Sequence, residues 1–266
     1  MQSEQYWRVF KKSLKASFLT ALEYRADFYS SIIIQIIYFI IQFLFFSIIF
    51  SHITILKGWG LGDLLFLIFL NDVGLTLFEV TGIRGMYYLV ITGQLNTKLV
   101  KPKDTFFLIA LEELSINSIF FAICDIILLF FVATYFSLSM SFLPFIVGLI
   151  LYVISLPLLV LPIMFIETLS FFWGETEGLL GIYHSMIFSI KEYPLSIFNK
   201  FFIILFSILS PGILLHLFLP AAIILGKIDP VWGLWGILAS IAFDIIGIYL
   251  FYKFFKYGLK KYEGYG

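Results

Sequence analysis

Charge is what this sequence has least of. Only 13% of its 266 residues are Asp, Glu, Lys or Arg, against about 25% in a soluble domain, so there is too little polar surface to coat a globule in water. The 17 basic residues equal the 17 acidic ones, and no overall basic field is left to hold nucleic acid. The single cysteine, Cys124, excludes an intrachain disulfide and a Cys-rich metal site. The three histidines, His52, His184 and His216, have no ligand-like spacing, so no metal site is expected. There is no G-x-S-x-G elbow, no H-E-x-x-H and no G-x-x-x-x-G-K-[ST] phosphate loop, so neither a hydrolase, a metalloprotease nor an ATPase has visible machinery in the chain.

What is abundant is apolar. Hydrophobic residues make up 61% and aromatics 20% of the chain, and the mean hydropathy is +1.04. These groups have to face a lipid bilayer. A crossing helix takes about 20 apolar residues, and six stretches qualify: 28–50, 61–80, 114–136, 142–166, 201–226 and 231–252. The expected fold is an all-α membrane protein forming one transmembrane domain over residues 1–266. The polar break Ser137–Ser141 divides the third span from the fourth as a short hairpin. The first apolar run begins at Phe28, is too long for a signal core and has no small-residue cleavage pattern after it, so it should stay in the mature chain.

Orientation follows from the bases. The segments before span one, between two and three, between four and five and after six hold 5, 4, 2 and 4 Lys or Arg, whereas the alternate loops hold 1, 0 and 1. Bases remain on the cytoplasmic side of a cell membrane, plasma or inner, so both termini are expected there.

Residues 6–24 place Trp7, Phe10, Leu14, Phe18 and Ala21 on one helical arc beside Lys11, Lys12 and Lys15. That pattern suits a helix lying among lipid headgroups, either as an anchor or as a contact for a partner. Between spans two and three, Gly93 can end a helix and Pro102 can end or redirect a short one. Leu95 and Leu99, four apart, would share a face on a basic body with Lys98 and Lys101. This is either a knob for a groove in a cytoplasmic protein or an ordinary basic loop. Residues 171–200 fit a helix along the inner surface. In span five, Pro211-Gly212 and Pro220 point to a kink or to a re-entrant element near the outer face.

Three carboxylates, Asp72, Asp125 and Asp244, sit near span centres, where each costs about 2.5–3.5 kcal/mol to insert. No Lys or Arg lies deep in any of the six stretches to pair with them. They must line a polar cavity, bond neighbouring helices or carry a proton. Asp72 with Asn71 before it and Glu79 two turns on makes a polar stripe, the best pathway candidate. Glu112 and Glu113 suit a solvated inner interface.

Several dispersed motifs resemble the permeases of type-2 ABC exporters of about 260 residues. Tyr24-Arg-Ala-Asp-Phe28 is similar to their Y-R-x-D-F entry to span one, and Gly58-Trp-Gly-Leu-Gly62 to their lead into span two. The strongest piece, Gly93-Gln-Leu-Asn-Thr-Lys-Leu-Val-Lys-Pro102, is similar to G-E-L-x-x-x-L-x-R-P, with Gln94 in place of Glu and Lys101 in place of Arg. Tyr193–Phe198 and Leu219–Gly226 match in character. The resemblance implies an amphipathic elbow helix, a coupling helix at 93–104 and an outer re-entrant region. It also implies a second permease, as homodimer or heterodimer, and cytoplasmic ATPase subunits that bind ATP and Mg and dock on the coupling helices. This chain would then bind no cofactor itself. The competing reading is an ion-coupled secondary transporter or channel that uses Asp72, Glu79, Asp125 and Asp244.

Overall fold

The computed structural model describes residues 2–111 and 114–263, and among these it is helical with no strand. Glu112 and Glu113 lie outside the described residues. Fifteen α-helices follow in order: α1 Gln2–Glu23, α2 Arg25–His52, α3 Leu61–Glu79, α4 Met86–Ile91, α5 Asn96–Leu99, α6 Thr105–Ala110, α7 Ile116–Tyr135 and α8 Phe142–Ser155. Then come α9 Pro157–Thr168, α10 Ser170–Trp173, α11 Glu177–Ile190, α12 Lys200–Leu209, α13 Pro211–Leu215, α14 Leu219–Ile224 and α15 Pro230–Lys261. Their starts are written in side chains that accept orphan backbone N–H groups. Asp104 caps α6 at 3.0 Å, Ser115 caps α7 at 3.2 Å, Asn199 caps α12 at 3.0 Å and Asp229 caps α15 at 2.8 Å.

Five stretches are long and apolar enough to cross a bilayer: α2, α3, α7, the near-continuous run Phe142–Trp173 and α15. A bent pair, Lys200–Leu209 with Pro211–Ile224, can make a sixth. The helices differ in what surrounds them. In the apolar window of α3, 72% of residues are buried within the chain, against 17% in α2 and in α15. A helix buried on every side is the centre of its bundle, so α3 is the post and α2 and α15 turn their isoleucines, tryptophans and phenylalanines outward.

Two parts depart from the sequence expectation. The stretch 201–226 is not one straight helix, because the chain turns by 114° between α12 and α13. Ser210 is extended there, and Pro211 starts α13 where its missing N–H costs nothing. Residues 171–200 do not lie along the inner surface throughout. The chain from Tyr183 to Tyr193 is packed among spans: Tyr183 Oη donates to the Leu159 carbonyl at 3.2 Å, and the ring of Tyr193 stands edge-on to Phe46 of α2. The apolar run Ile182–Ile190 is short enough to pass for a surface helix and long enough to be buried as one.

The bend is held by close approach. A Cβ on Gly212 would stand 2.8 Å from the backbone of Leu158 and of Leu159, at the Pro157 break between α8 and α9. Gly212→Ala is therefore expected to force the bend off its support at about 1–3 kcal/mol. Thermal unfolding of the purified protein in detergent measures it, and an unchanged midpoint would contradict this packing.

Candidate functional site

The bundle centre holds a polar cluster assembled from four parts of the chain. Asn71 and Asp72 lie on the fully packed part of α3 and are buried. The cation that answers Asp72 comes from outside the six apolar stretches: Lys191, 1% exposed, follows α11 and forms an ion pair with the Asp72 carboxylate. Its ammonium also donates to Tyr38 Oη at 3.1 Å and lies 5.0 Å from the centre of the Phe188 ring. Asn71 Nδ2 donates to the Lys191 carbonyl at 2.9 Å, so adjacent α3 residues grip both the side chain and the backbone of Lys191. From α2, Gln42 Nε2 donates to Tyr38 Oη at 2.7 Å and to Glu192 Oε1 at 2.9 Å. Beside this, Asp125 of α7 accepts from Thr76 Oγ1 at 3.1 Å and from Gln35 Nε2 at 3.2 Å.

The arrangement ties α2, α3, α7 and the end of α11 together at one depth. Buried ions stay only where partners offset lost hydration, and here one ammonium serves a neighbourhood of three carboxylates. Rigid polar contacts of this kind have discrete alternatives rather than a continuous range, which makes them natural pivots for helices that exchange between arrangements.

Of the predicted pathway stripe, the structure keeps Asn71 and Asp72 together around Lys191. Glu79 sits apart at the C-terminal end of α3, lining a cavity of about 20 Å³ with His184. Asp244 lies on α15, partly buried, away from the cluster. His216, between α13 and α14, is fully buried, stacks on Tyr152 at 4.4 Å and faces Ser155 Oγ at 3.1 Å. The residues missed from sequence are Lys191, Glu192, Gln35, Tyr38, Gln42 and Thr76. Gln35, Tyr38 and Gln42 had a signal: spacings of three and four put them on one face of a span that carries no charge.

The segment between spans two and three is folded onto the bundle. Gly93 ends α4 with φ +72. Leu95 is fully buried with Leu89, Val90 and Ile109 in one core cluster. It therefore does not share an exposed face with Leu99. The helix that follows, α5, is a single turn, and the apolar groups it turns outward are Leu99, 42% exposed, and Val100, 82% exposed. Gln94, Lys101 and Pro102 are exposed, and Lys98 is buried.

The loop is clamped to the spans at Tyr87. Its backbone N–H donates to Glu167 Oε2 of α9 at 2.6 Å, and its hydroxyl bonds Glu177 at the start of α11. Burial, and then the charges of Glu177, Glu167 and Glu175, hold the Tyr87 hydroxyl above its ordinary pKa. It remains a donor at any working pH.

The first helix is anchored to the same region. Tyr6 Oη accepts from the Asp104 N–H at 3.4 Å, the Tyr6 ring stands edge-on to Phe107 at 4.8 Å, and Ser17 Oγ accepts from the Ile116 N–H at 3.0 Å. Trp7 and Phe18 of the predicted interfacial stripe are exposed, whereas Phe10 and Leu14 are half-buried.

A helical bundle with five or six stretches apolar and long enough to cross a bilayer, holding a buried ion pair at its centre, is a multi-pass membrane protein. The model of the ABC-2 family transporter proteins matches residues 36–266, and the chain belongs to that family. No curated protein and no solved structure gives a significant match. Membership makes the chain the permease component of an ABC transporter and implies an ATPase partner.

Proposed function

We propose that this chain is the translocating half of an ATP-driven exporter, paired with a second permease and driven by separate cytoplasmic ATPase subunits that carry the ATP and Mg. On this reading α1 is the elbow helix at the inner headgroup level, residues 93–104 are the ATPase contact, and the α12–α14 bend is the outer re-entrant element. Both termini lie in the cytoplasm, and the membrane is the cell membrane. With Lys191 inside the bundle, the remaining inner segments still hold most of the bases, which supports that orientation.

One observation carries the reading: the loop between spans two and three presents Leu99 and Val100 outward while Leu95 is buried in the core and Tyr87 binds the loop to α9 and α11. A partner moves an equilibrium only through unequal contact with its states, and a loop both exposed to the partner and fastened to α9 and α11 can transmit that difference. The clamp is testable by itself. Glu167→Gln turns a charge-assisted bond to the Tyr87 N–H into a neutral one, a loss of about 1 kcal/mol. Transport per ATP hydrolysed is expected to fall about fivefold while the ATPase subunit stays bound. Equal coupling in the variant would remove Tyr87 from the transmission path.

A further inference from the structure

The last helix is gripped at its two ends. α15 runs for 32 residues from Pro230 to Lys261 without a break, a rod of about 48 Å. Its buried residues form two groups, Gly233, Gly236 and Ser240 near the start and Phe251, Phe255 and Gly258 near the end. Between the groups α15 turns Phe243, Ile245, Ile246 and Tyr249 outward, and it meets α9 where Leu161 lies against Gly247.

The first group lies on the helices around the bend. A Cβ on Gly233 would stand 2.5 Å from Val147 Cγ1 of α8 and 2.9 Å from Ile223 Cδ1 of α14, so the α15 backbone rests directly on both. Val147, Leu151 and Ile223 are buried together beneath it. Contacts packed this closely transmit displacement, so a shift at this end of α15 reaches α14 and the turn at 226–229 that follows it.

The second group meets the elements that follow the loop 93–104. Phe106 of α6 stands edge-on to Phe251 at 5.0 Å and to Phe255 at 5.6 Å, and Phe171 of α10 fills the space that a Cβ on Gly258 would need. One polar contact joins the loop itself to the rod: Tyr252 Oη donates to Asp104 Oδ2. The other oxygen of that carboxylate accepts the Phe107 N–H at 3.0 Å and so starts α6. Tyr87 fastens one end of the loop to α9 and α11, and Asp104 fastens the other end to α15. Ring packing on Phe106 lets two elements slide, whereas a hydrogen bond to a carboxylate fixes both distance and direction.

We propose that Tyr252 is a positioning residue for coupling: by holding Asp104 it fastens residues 93–104 to α15, and α15 carries their displacement to α14 at its far end. The proposal rests on the exporter reading, in which that loop meets the ATPase subunit. A rigid element couples two sites only when both bias its position, and the Tyr252–Asp104 bond is where the loop does so.

The test uses the complex with its copurifying ATP-binding subunit in nanodiscs and needs no cargo. Hydrogen exchange of the amides at 226–236 is compared before and after trapping with Mg-ATP and vanadate. In the native complex it is expected to change severalfold on trapping. Tyr252→Phe keeps the ring and loses only the hydroxyl. In that variant the ATPase subunit should still bind and hydrolyse ATP, exchange within 93–104 should still respond, and the response at 226–236 should be lost. Asp104→Ser keeps a cap for α6 but is too short to reach Tyr252; it should lose the same response, and the double variant should lose no more. No response at 226–236 in the native complex, or an undiminished one in Tyr252→Phe, would overturn the proposal while leaving ATPase docking standing. So would a loss that accompanies a lowered thermal midpoint and a dissociated ATPase subunit, which would make the bond structural only. If no ATP-binding subunit copurifies with the native chain, the exporter reading fails and the coupling role of Tyr252 fails with it.

Discussion

Lys191→Met, with Asp72 left in place, is expected to lose about 3–5 kcal/mol of stability and most of the folded yield, because it strands a carboxylate in the centre of the bundle. Asp72→Leu should do comparable damage by stranding the ammonium. The double variant, Asp72→Leu with Lys191→Met, replaces the pair by apolar groups of similar size, and such replacements are often neutral or stabilising. It should therefore recover a folded protein. Transport measured with the ATPase subunit in proteoliposomes should not recover with it, because apolar contacts tie α3 to α11 without the discrete switching of an ion pair. Thermal unfolding of all four proteins in detergent gives the coupling energy of the cycle. A Lys191→Met single variant as stable as the native chain would mean that the pair is not formed. A fully active double variant would make it structural only.

The second large effect concerns the inner loop. Leu99→Asp together with Val100→Asp places two charges where exposed apolar groups now stand, and the permease is expected to fold normally while the ATPase subunit no longer copurifies with it. Loss of an apolar anchor and introduction of a desolvated charge at a contact centre costs on the order of 4 kcal/mol or more, about a thousandfold in affinity. Leu95→Asp should behave in the opposite way: being fully buried, it damages the fold before it reaches the contact. Undiminished copurification of the Leu99 and Val100 variant would move the docking surface elsewhere.

Much of the architecture is readable in the residues alone. Long, strongly apolar runs have one physical outcome, so α2 and α7 are legible to within about three residues at each end, whereas the Phe142–Trp173 run and α15 start where expected but continue seven and nine residues past the expected ends. Pro211-Gly212 announces the bend because one residue lacks a donor and the other lacks a Cβ. The segment 171–200 is where the reading fails. Lys191, Glu192 and the nearby polar residues lower its hydropathy, so a window average treats it as a surface loop. Their charges are in fact answered by Asp72, Gln42 and Tyr38, residues distant in sequence. An ion pair between elements hides both partners: Asp72 looks uncompensated and Lys191 looks cytoplasmic. The inner loop shows a similar limit. A spacing of four places Leu95 and Leu99 on one face of a regular helix, but α5 begins only at Asn96, and the turn before it sends Leu95 into the core.

The most direct test of the whole account is reconstitution of the permease in liposomes with and without the ATP-binding subunit that copurifies with it in mild detergent. Transport in one direction, only when that subunit and hydrolysable ATP are both present, is the predicted result. Transport by the permease alone, driven by an ion gradient, indifferent to ATP and abolished by Asp72→Asn, would contradict it.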